Sequence, residues 1–484
     1  MSYIRKVKTG SGAIAVQIIH KYHSQVVKIE HIGSAHNDTD LQTLLALAKQ
    51  RLLGPQLSLL PEAPASLQVR LRQSVSRLLY DCLTELYVQL GFSQLHDDTF
   101  TALCVARLVE PTSKLDSLRV LADLGITGFS NTGVHRCLQK VIAKQYRDKL
   151  TELCFTHASM QDGGISLVLY DVTTLYFEVQ KEDEYRKPGL SKERRLEPQI
   201  IVGLLVDQHG FPLGLTSFEG NTAETNTILP VMEQFKVQHG LSDITVVADA
   251  GMLSARNLQA LATAGYSYIV GSRLNKIPYG IAEYQKTKEL ADNQIITSKL
   301  DGNQRIVYQY RAKRATLDLH NIEKQVEKAK RIVSGTTTAK KAKFITVTTK
   351  SKQLNQLLID KAYALVGIKG YVTNLNVSDE QVITYYHQLW QVEQSFRMAK
   401  SDLKARPIFH HKRDSIEAHL TIVMAALAIG RTVEQRTGMS IKKLIKILRP
   451  IRTGTVAING VSYLAEPEIP KEVSDILNQL RSVH

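Results

Sequence analysis

The 484-residue sequence predicts an α/β protein with a mixed sheet at its centre. Three observations carry that expectation. Residues 67–158 show helical periodicity, whereas 165–273 switch to the alternation and short apolar runs of strands. Within the second stretch, three strands precede two strand-helix-strand steps, an order that implies an antiparallel start and a parallel continuation. After a long basic segment, an apolar run at 365–375 returns and leads into an amphipathic helix at 378–402.

The elements follow in order. Residues 13–33 alternate apolar and polar on either side of His23-Ser24-Gln25, the pattern of a hairpin. Thr39-Asp-Leu-Gln42 resembles a capping box and opens a helix that Gly54 stops. Residues 55–66 hold three prolines and form a linker. The helical stretch is interrupted at Gly91, Pro111 and Gly125–Asn131. Within it, Ser113–Leu124 and Thr132–Tyr146 fit either a helix-turn-helix, with Arg136 and Lys140 on one exposed face, or an ordinary helical bundle.

Strands are expected at 165–179, 199–207, 211–218, 243–249 and 266–272, with helices at 226–239 and 254–264. Asp207-Gln-His-Gly210 has turn chemistry and joins the second strand to the third. The basic segment has strands near 305–311 and 343–349 and a helix near 317–332. Asp414–Glu434 is a long helix, and the tail opens with Lys442, Lys443, Lys446, Arg449 and Arg452. Val473, Ile476, Leu477 and Leu480 form an apolar stripe suited to pairing or to burial on its own core. The resulting division is 1–54, a small hairpin plus helix; 67–160, helical; 161–273 with 366–435, the mixed-sheet core; 274–365, an insertion; and 436–484, a C-terminal tail.

Composition points to a polyanionic partner. The net charge is +15, and residues 271–350 carry 17 Lys/Arg against 7 Asp/Glu. Such a surface binds phosphates with release of counterions; Lys340, Lys341 and Lys343 are candidate backbone contacts. Cys82, Cys104, Cys137 and Cys154 form no CxxC pair and read as core thiols, neither a disulfide frame nor a zinc site. No apolar signal region opens the chain, and the run Leu420–Gly430 is too short to span a bilayer, so no membrane association is expected.

Three acids stand out. Two apolar, β-branched runs lead into Asp171 and Asp249. A carboxylate in or beside a buried strand is costly unless it caps a helix, forms a turn or binds a metal. The third acid is Glu393, on the stretch that runs from Tyr385 to Lys400. Tyr386, Glu393 and Lys400 are spaced by seven, and seven helical residues turn through about 700°, close to two full turns. The three would share a face beside Leu389, the only tryptophan, Trp390, and Phe396 and Arg397. Packing is the expected role of Trp390 on an apolar face.

These residues resemble a bacterial insertion-sequence transposase of the DDE type, in the branch with a Tyr-x2-Arg-x3-Glu-x6-Lys signature. Here the signature reads Tyr386, Leu389, Glu393, Lys400. Further family-like blocks are Phe218-Glu-Gly-Asn-Thr-Ala-Glu-Thr-Asn-Thr-Ile-Leu-Pro230, Asp249-Ala-Gly-Met and Arg406-Pro-Ile-Phe-His-His. The departure is Leu389, which stands where the signature has Arg; Arg397, one turn beyond Glu393, is a candidate substitute.

The resemblance implies an RNase H-like catalytic core, which the strand order also suggests. It implies Asp171, Asp249 and Glu393 as catalytic, metal-binding acids, and Tyr386, Lys400 and Arg397 as DNA-contacting residues. Oxygen-only ligands favour Mg²⁺, with Mn²⁺ as a substitute, and two ions suit in-line displacement at phosphorus. Glu219, Asn221 and Glu224 are placed near the mouth of the site, whereas His387, His410, His411 and His419 lack metal-ligand spacing. The implied partners are double-stranded DNA, as element ends and target, and a second copy in a homodimer on DNA. The implied location is the bacterial cytoplasm, at the nucleoid. Two other readings share the composition: a metal-dependent DNA nuclease that joins no strands, and a DNA-binding derivative that no longer cuts.

Overall fold

The computed structural model describes residues 2–9, 12–22, 25–53, 69–161, 164–178, 182–189, 197–241, 244–251, 254–272, 277–300, 302–337, 342–347, 352–458 and 460–482. The expected linker 55–66, the helix stop at Gly54, and Lys340 and Lys341 lie outside them.

Sixteen strands are described: β1 Ser2–Lys8, β2 Ile14–Tyr22, β3 Gln25–Ala35, β4 Val69–Val75, β5 Leu167–Tyr176, β6 Gln199–Val206, β7 Pro212–Glu219, β8 Thr245–Ala248, β9 Ser267–Gly271, β10 Ile295–Lys299, β11 Arg305–Tyr310, β12 Ile345–Val347, β13 Lys352–Leu354, β14 Ile368–Thr373, β15 Thr453–Ile458 and β16 Val461–Ala465. The described helices are α1 Asp38–Leu53, α2 Arg77–Gln89, α3 Asp98–Val109, α4 Ser117–Asp123, α5 Asn131–Ala143, α6 Tyr146–Gln161, α7 Ile228–His239, α8 Ala255–Thr263, α9 Tyr279–Thr287, α10 Ala312–Val333, α11 Gln356–Ala364, α12 Asp379–His387, α13 Trp390–Arg397, α14 Arg413–Thr437, α15 Ile441–Leu448 and α16 Lys471–Arg481.

Two compact units form. The first gathers Met1–Leu83, Leu118–Gly128 and Lys442–Arg481. Its sheet β1-β2-β3 packs on α1 through Val16, Ile18, Ala35, Leu41 and Ala48. Asn37 caps α1 by accepting the Asp40 N–H at 2.7 Å, which puts the cap two residues before the expected Thr39. The second sheet of this unit, β16-β15-β4, was expected as helix at one end and as a featureless tail at the other. Val-Arg-Leu-Arg-Gln-Ser-Val does alternate with period two, but its partner β15 lies far along the sequence. Asp123 ties these segments together, with Arg449 at 3.0 Å and Arg452 at 2.9 Å. Val473, Leu477 and Leu480 are buried, so the stripe of α16 faces its own protein and offers no free pairing surface.

The second unit is Thr84–Ser117, Phe129–Ile441 and Ser482–His484, and it holds the eight-stranded sheet, in the order β10-β11-β14-β9-β8-β5-β6-β7. β5, β6 and β7 form an antiparallel meander, and β8 and β9 run parallel to β5. That order and those directions are those of an RNase H-like core. The turn between β6 and β7 works through Asp207, whose Oδ1 accepts the His209 and Phe211 N–H groups at 2.9 and 2.8 Å, and through Gly210 at φ 81°. β14, β11 and β10 extend the sheet antiparallel beyond β9. Two strands of the basic segment therefore belong to the main sheet. The remainder, α10 to α11, folds on a core of its own made by Ile322, Val326, Ala329, Phe344 and Ile359.

α14 is by length and composition the one described helix apolar enough to cross a membrane, yet 94% of its most apolar window is buried inside the protein. It packs against α3, α5, α6 and β7. All four cysteines are buried, and none of the four forms a disulfide.

Near the start of α14, Glu417 forms an ion pair with Arg147 at 2.6 Å and accepts the Tyr185 and Ser217 hydroxyls at 2.6 and 2.7 Å. Burial pushes the Glu417 carboxyl up; Arg147 and the two hydroxyls outweigh it and hold the group below its ordinary value. A carboxyl held down in this way contributes stability that is fully present above its unfolded pKa and lost as pH falls through the lower folded one. Glu417→Gln leaves Arg147 without its charge partner and should cost about 3 kcal/mol at neutral pH. Thermal melts of both proteins should show the gap narrowing as pH falls below the ordinary carboxylate range and through the lowered pKa of the native carboxyl.

Candidate active site

The parallel pairing of β5 with β8 aligns two of the three acids. Leu167 lies opposite Thr245, Val168 opposite Val246 and Leu169 opposite Val247. Two residues further along each strand stand Asp171 and Asp249. Extending the register by one two-residue period would place them on the same face of the sheet. Asp171 is half-buried in mid-strand, and Asp249 is exposed just past the carboxyl end of β8.

Glu393 reaches the same sheet from above. α13 packs on β5 and β6 through Val392, Ser395 and Phe396, which are buried, and leaves Glu393 exposed. Ser395 Oγ donates to the Gly210 carbonyl at 2.7 Å and pins the helix to the β6–β7 turn.

The expected single helix at 378–402 is not uniform. Ser378 and Gln381 form a capping box that starts α12. Bonds of the i→i−3 type follow, from the Gln388, Leu389 and Gln391 N–H groups to Tyr385, Tyr386 and Gln388. Met398–Asp402 then widens into a π turn. The tight turn adds about 20° per residue over α winding, so two such residues move Glu393 from about 20° short of Tyr386 to about 20° past it. The two remain on one face. The π turn winds less per residue and takes Lys400 off that line. Its Nζ lies 5.8 Å from the Phe396 ring centroid.

Tyr386 is buried, and its hydroxyl donates to Asp249 Oδ1 at 2.9 Å. The hydroxyl that the resemblance assigns to DNA is thus engaged with a carboxylate. Gly271, at the end of β9, makes the approach possible, because a Cβ there would stand 2.6 Å from that hydroxyl. Burial, and then the Asp249 charge, raise the Tyr386 phenol, so it stays a donor across the physiological range.

Sequence reading missed Lys369 and Tyr371, on β14. The Lys369 ammonium sits 4.3 Å from the Tyr386 ring centroid, and the Tyr371 ring packs 4.7 Å from the Tyr386 ring. Burial and then Arg314 push Lys369 down, against the pull of Asp249 and Glu393. Both acids therefore act on the same ammonium and the same phenol and share one electrostatic neighbourhood. The available signal was a lysine inside an otherwise buried strand, Ile-Lys-Gly-Tyr-Val-Thr.

The other expected residues divide. Arg397 is exposed and donates to Gln394 Oε1 at 2.7 Å. Asn221 and Glu224 line a cavity of about 510 Å³ with Val172, Thr173, Thr174 and Gly251, beside both aspartate-bearing segments. Glu219 is paired with Lys187 at 2.6 Å. Trp390 is 51% exposed rather than packed, because it faces a groove of about 780 Å³ over α13 and α14. Leu389 is buried at the signature's Arg position. His419 is buried against Lys114 at 2.9 Å, a contact between two bases with no metal-ligand character.

Among the described residues no three His, Cys, Asp or Glu side chains stand close enough to hold an ion as folded. The donor set is nonetheless carboxylate oxygen alone. A hydrated Mg²⁺ takes one or two protein carboxylates and keeps several waters, so carboxylates of the kind Asp171 and Asp249 offer suit it chemically.

Residues 162–429 match the family described as Transposase DDE domain. The match spans more than half of the chain, and the chain belongs to that family. The cryo-EM structure of a piggyBac transposase synaptic complex with hairpin DNA is similar to 78% of this chain, over 79% of its own, with 10% sequence identity and a TM-score of 0.40. A comparison with curated proteins finds no match.

Tyr386→Phe keeps the ring that lies under Lys369 and removes the bond to Asp249. A hydrogen bond to a charged group is worth about 1.5–3 kcal/mol, and chemical denaturation should show a loss at the lower end of that range. An unchanged denaturation midpoint would mean that the bond contributes nothing.

Proposed function

We propose that this chain is a bacterial insertion-sequence transposase of the Tyr-Arg-Glu-Lys branch. It binds the ends of its element, cuts DNA by metal-assisted phosphodiester hydrolysis, and joins the 3′-hydroxyl to target DNA. The observation that supports the reading is the parallel β5–β8 ladder, which ends two residues before both Asp171 and Asp249, with the Glu393 helix packed on β5 and β6.

In this reading Asp171, Asp249 and Glu393 would hold two divalent ions, Mg²⁺ with Mn²⁺ as a substitute, once the three are drawn together around them. When bound, such a pair supplies Lewis-acid activation of the attacking oxygen and charge neutralisation at the leaving one. The chain's own residues do the positioning. Tyr386 donates to Asp249 and fixes the orientation of that carboxylate. Lys369 tempers the repulsion between Asp249 and Glu393 from behind the Tyr386 ring. Lys400 and Arg397 contact DNA phosphates at the edge of the site, and Arg397 supplies a cation on the helix where Leu389 cannot. Two chains act together on DNA, because joining two element ends requires two sites. The setting is the bacterial cytoplasm, at the nucleoid.

Asp171→Asn, Asp249→Asn and Glu393→Gln should each lower divalent-ion-dependent nicking of supercoiled plasmid by roughly a thousandfold, about 4 kcal/mol, with DNA binding retained. Nicking that survives any of the three substitutions would remove that residue from the site. Wild-type protein that nicks but never joins a labelled element end to plasmid would be a nuclease and no transposase.

Arg397→Ala should weaken strand transfer about fivefold to tenfold, in line with loss of one partly screened phosphate contact of about 1 kcal/mol. Measured joining rates at two salt concentrations check this, and unchanged rates at both would exclude Arg397 as a stand-in for the missing arginine.

A further inference from the structure

α5 divides into two faces. Val134, Cys137, Leu138 and Val141 are buried, at i, i+3, i+4 and i+7, and the helix packs on α14, α3 and α6. Thr132, Arg136, His135 and Gln139 repeat that spacing two residues earlier. At about 100° per residue the second set lies on the opposite side of the helix. Thr132, His135, Arg136 and Gln139 are exposed, as is Asn131. Among the described residues none of the four is engaged in a side-chain hydrogen bond or ion pair.

Lys140 does not belong to this face. The sequence puts it beside Arg136, but its ammonium is paired with Asp97 at 2.8 Å. It is thereby tied to the N-cap of α3, where Asp97 also accepts the Phe100 N–H at 3.0 Å. What remains outward is a stripe without a single carboxylate on α5 and without an exposed apolar anchor. Ser130 caps the helix by accepting the Gly133 N–H at 3.1 Å, which fixes the start of the stripe.

We infer that α5 is the helix by which this protein reads the sequence of its DNA, seated in the major groove. The inference rests on the transposase reading and extends it to the residues that set specificity. The groove is about 12 Å wide and admits one helix. The stripe spans seven residue steps, about 10 Å at 1.5 Å per residue, or three base-pair steps of about 3.4 Å. Its side chains match the donor and acceptor pattern found there. An arginine makes a bidentate pair with guanine O6 and N7, a glutamine pairs with adenine N6 and N7, and a threonine meets the thymine methyl or a hydrogen-bonding edge. A protein partner would be expected to need an aromatic or aliphatic anchor at the centre of its interface, and this face has none. The absence of acid on the helix, in a chain of net charge +15, suits a polyanion.

The test is selection from a randomised duplex library with the full chain, in parallel with Arg136→Ala, Arg136→Lys and Gln139→Ala. All three changes are on the solvent face, and circular dichroism confirms that the fold is kept. The wild type should enrich a defined motif. Each alanine variant should lose roughly tenfold or more of its preference at one or two adjacent base pairs, the discrimination carried by one bidentate contact. Arg136→Lys should keep the salt dependence of binding and still lose the guanine preference, because an ammonium cannot make the fork. Three results overturn the inference: no enriched motif with wild type, an unaltered motif in all variants, or equal weakening on every sequence, which marks phosphate contact alone. Divalent-ion-dependent nicking of plasmid by the same preparations reports the transposase chemistry separately.

Discussion

The arrangement of this protein depends on one pairing, the parallel ladder between β5 and β8. A one-residue slip in that ladder would turn either Asp171 or Asp249 to the opposite face of the sheet, because side chains alternate with period two. The strands are buried for their full apolar length, so the hydrophobic core fixes the register and the register fixes the acids. Two carboxylates carried by neighbouring strands repel, and the sheet by itself offers no remedy. α12 and β14 bring counterparts: a phenol that donates to Asp249 and a partly desolvated ammonium that feels both Asp249 and Glu393. The rest of the site is organised around keeping two anions together.

How much of this was legible follows from whether each feature is local. The acids were readable because a carboxylate at the end of a β-branched run is a local anomaly. The five core strands were readable because each carries its own period and turn chemistry, as at Asp207–Gly210. Lys369 was obscure because its significance is purely spatial: β14 reaches β9 only after the long segment that follows β11. β4 and β15 were obscure for the same reason, as each is a plausible short run whose partner lies at the other end of the chain. The role of Lys140 was misjudged since helical spacing predicts which face a residue is on, not whether another helix presents Asp97 to it.

The winding of α12 and α13 shows how the sequence spacing and the folded geometry part company. Equal intervals of seven suggest a straight ridge from Tyr386 through Glu393 to Lys400. The path in fact tightens at Gln388–Leu389 and loosens at Met398–Asp402. Tightening keeps Tyr386 and Glu393 together on the acid-facing side. Loosening takes Lys400 off that line, to a place over the Phe396 ring. Deviations of this kind in helical winding are frequent at functional sites, and here they set the side chains of one segment on more than one face.

The segment between β11 and β14 enters and leaves the sheet at neighbouring points, since Tyr310 is paired with Ile368. To the sheet, α10 through α11 is the connection of a hairpin, and the ladder closes whatever its length. The cost of loop closure grows only as the logarithm of chain length, and this connection carries its own core. Residues there can therefore be gained, lost or exchanged for another folded module without disturbing the strands that align the acids. In evolutionary terms β11 and β14 form a socket, where a folded module can be exchanged while the ladder of the main sheet stays fixed.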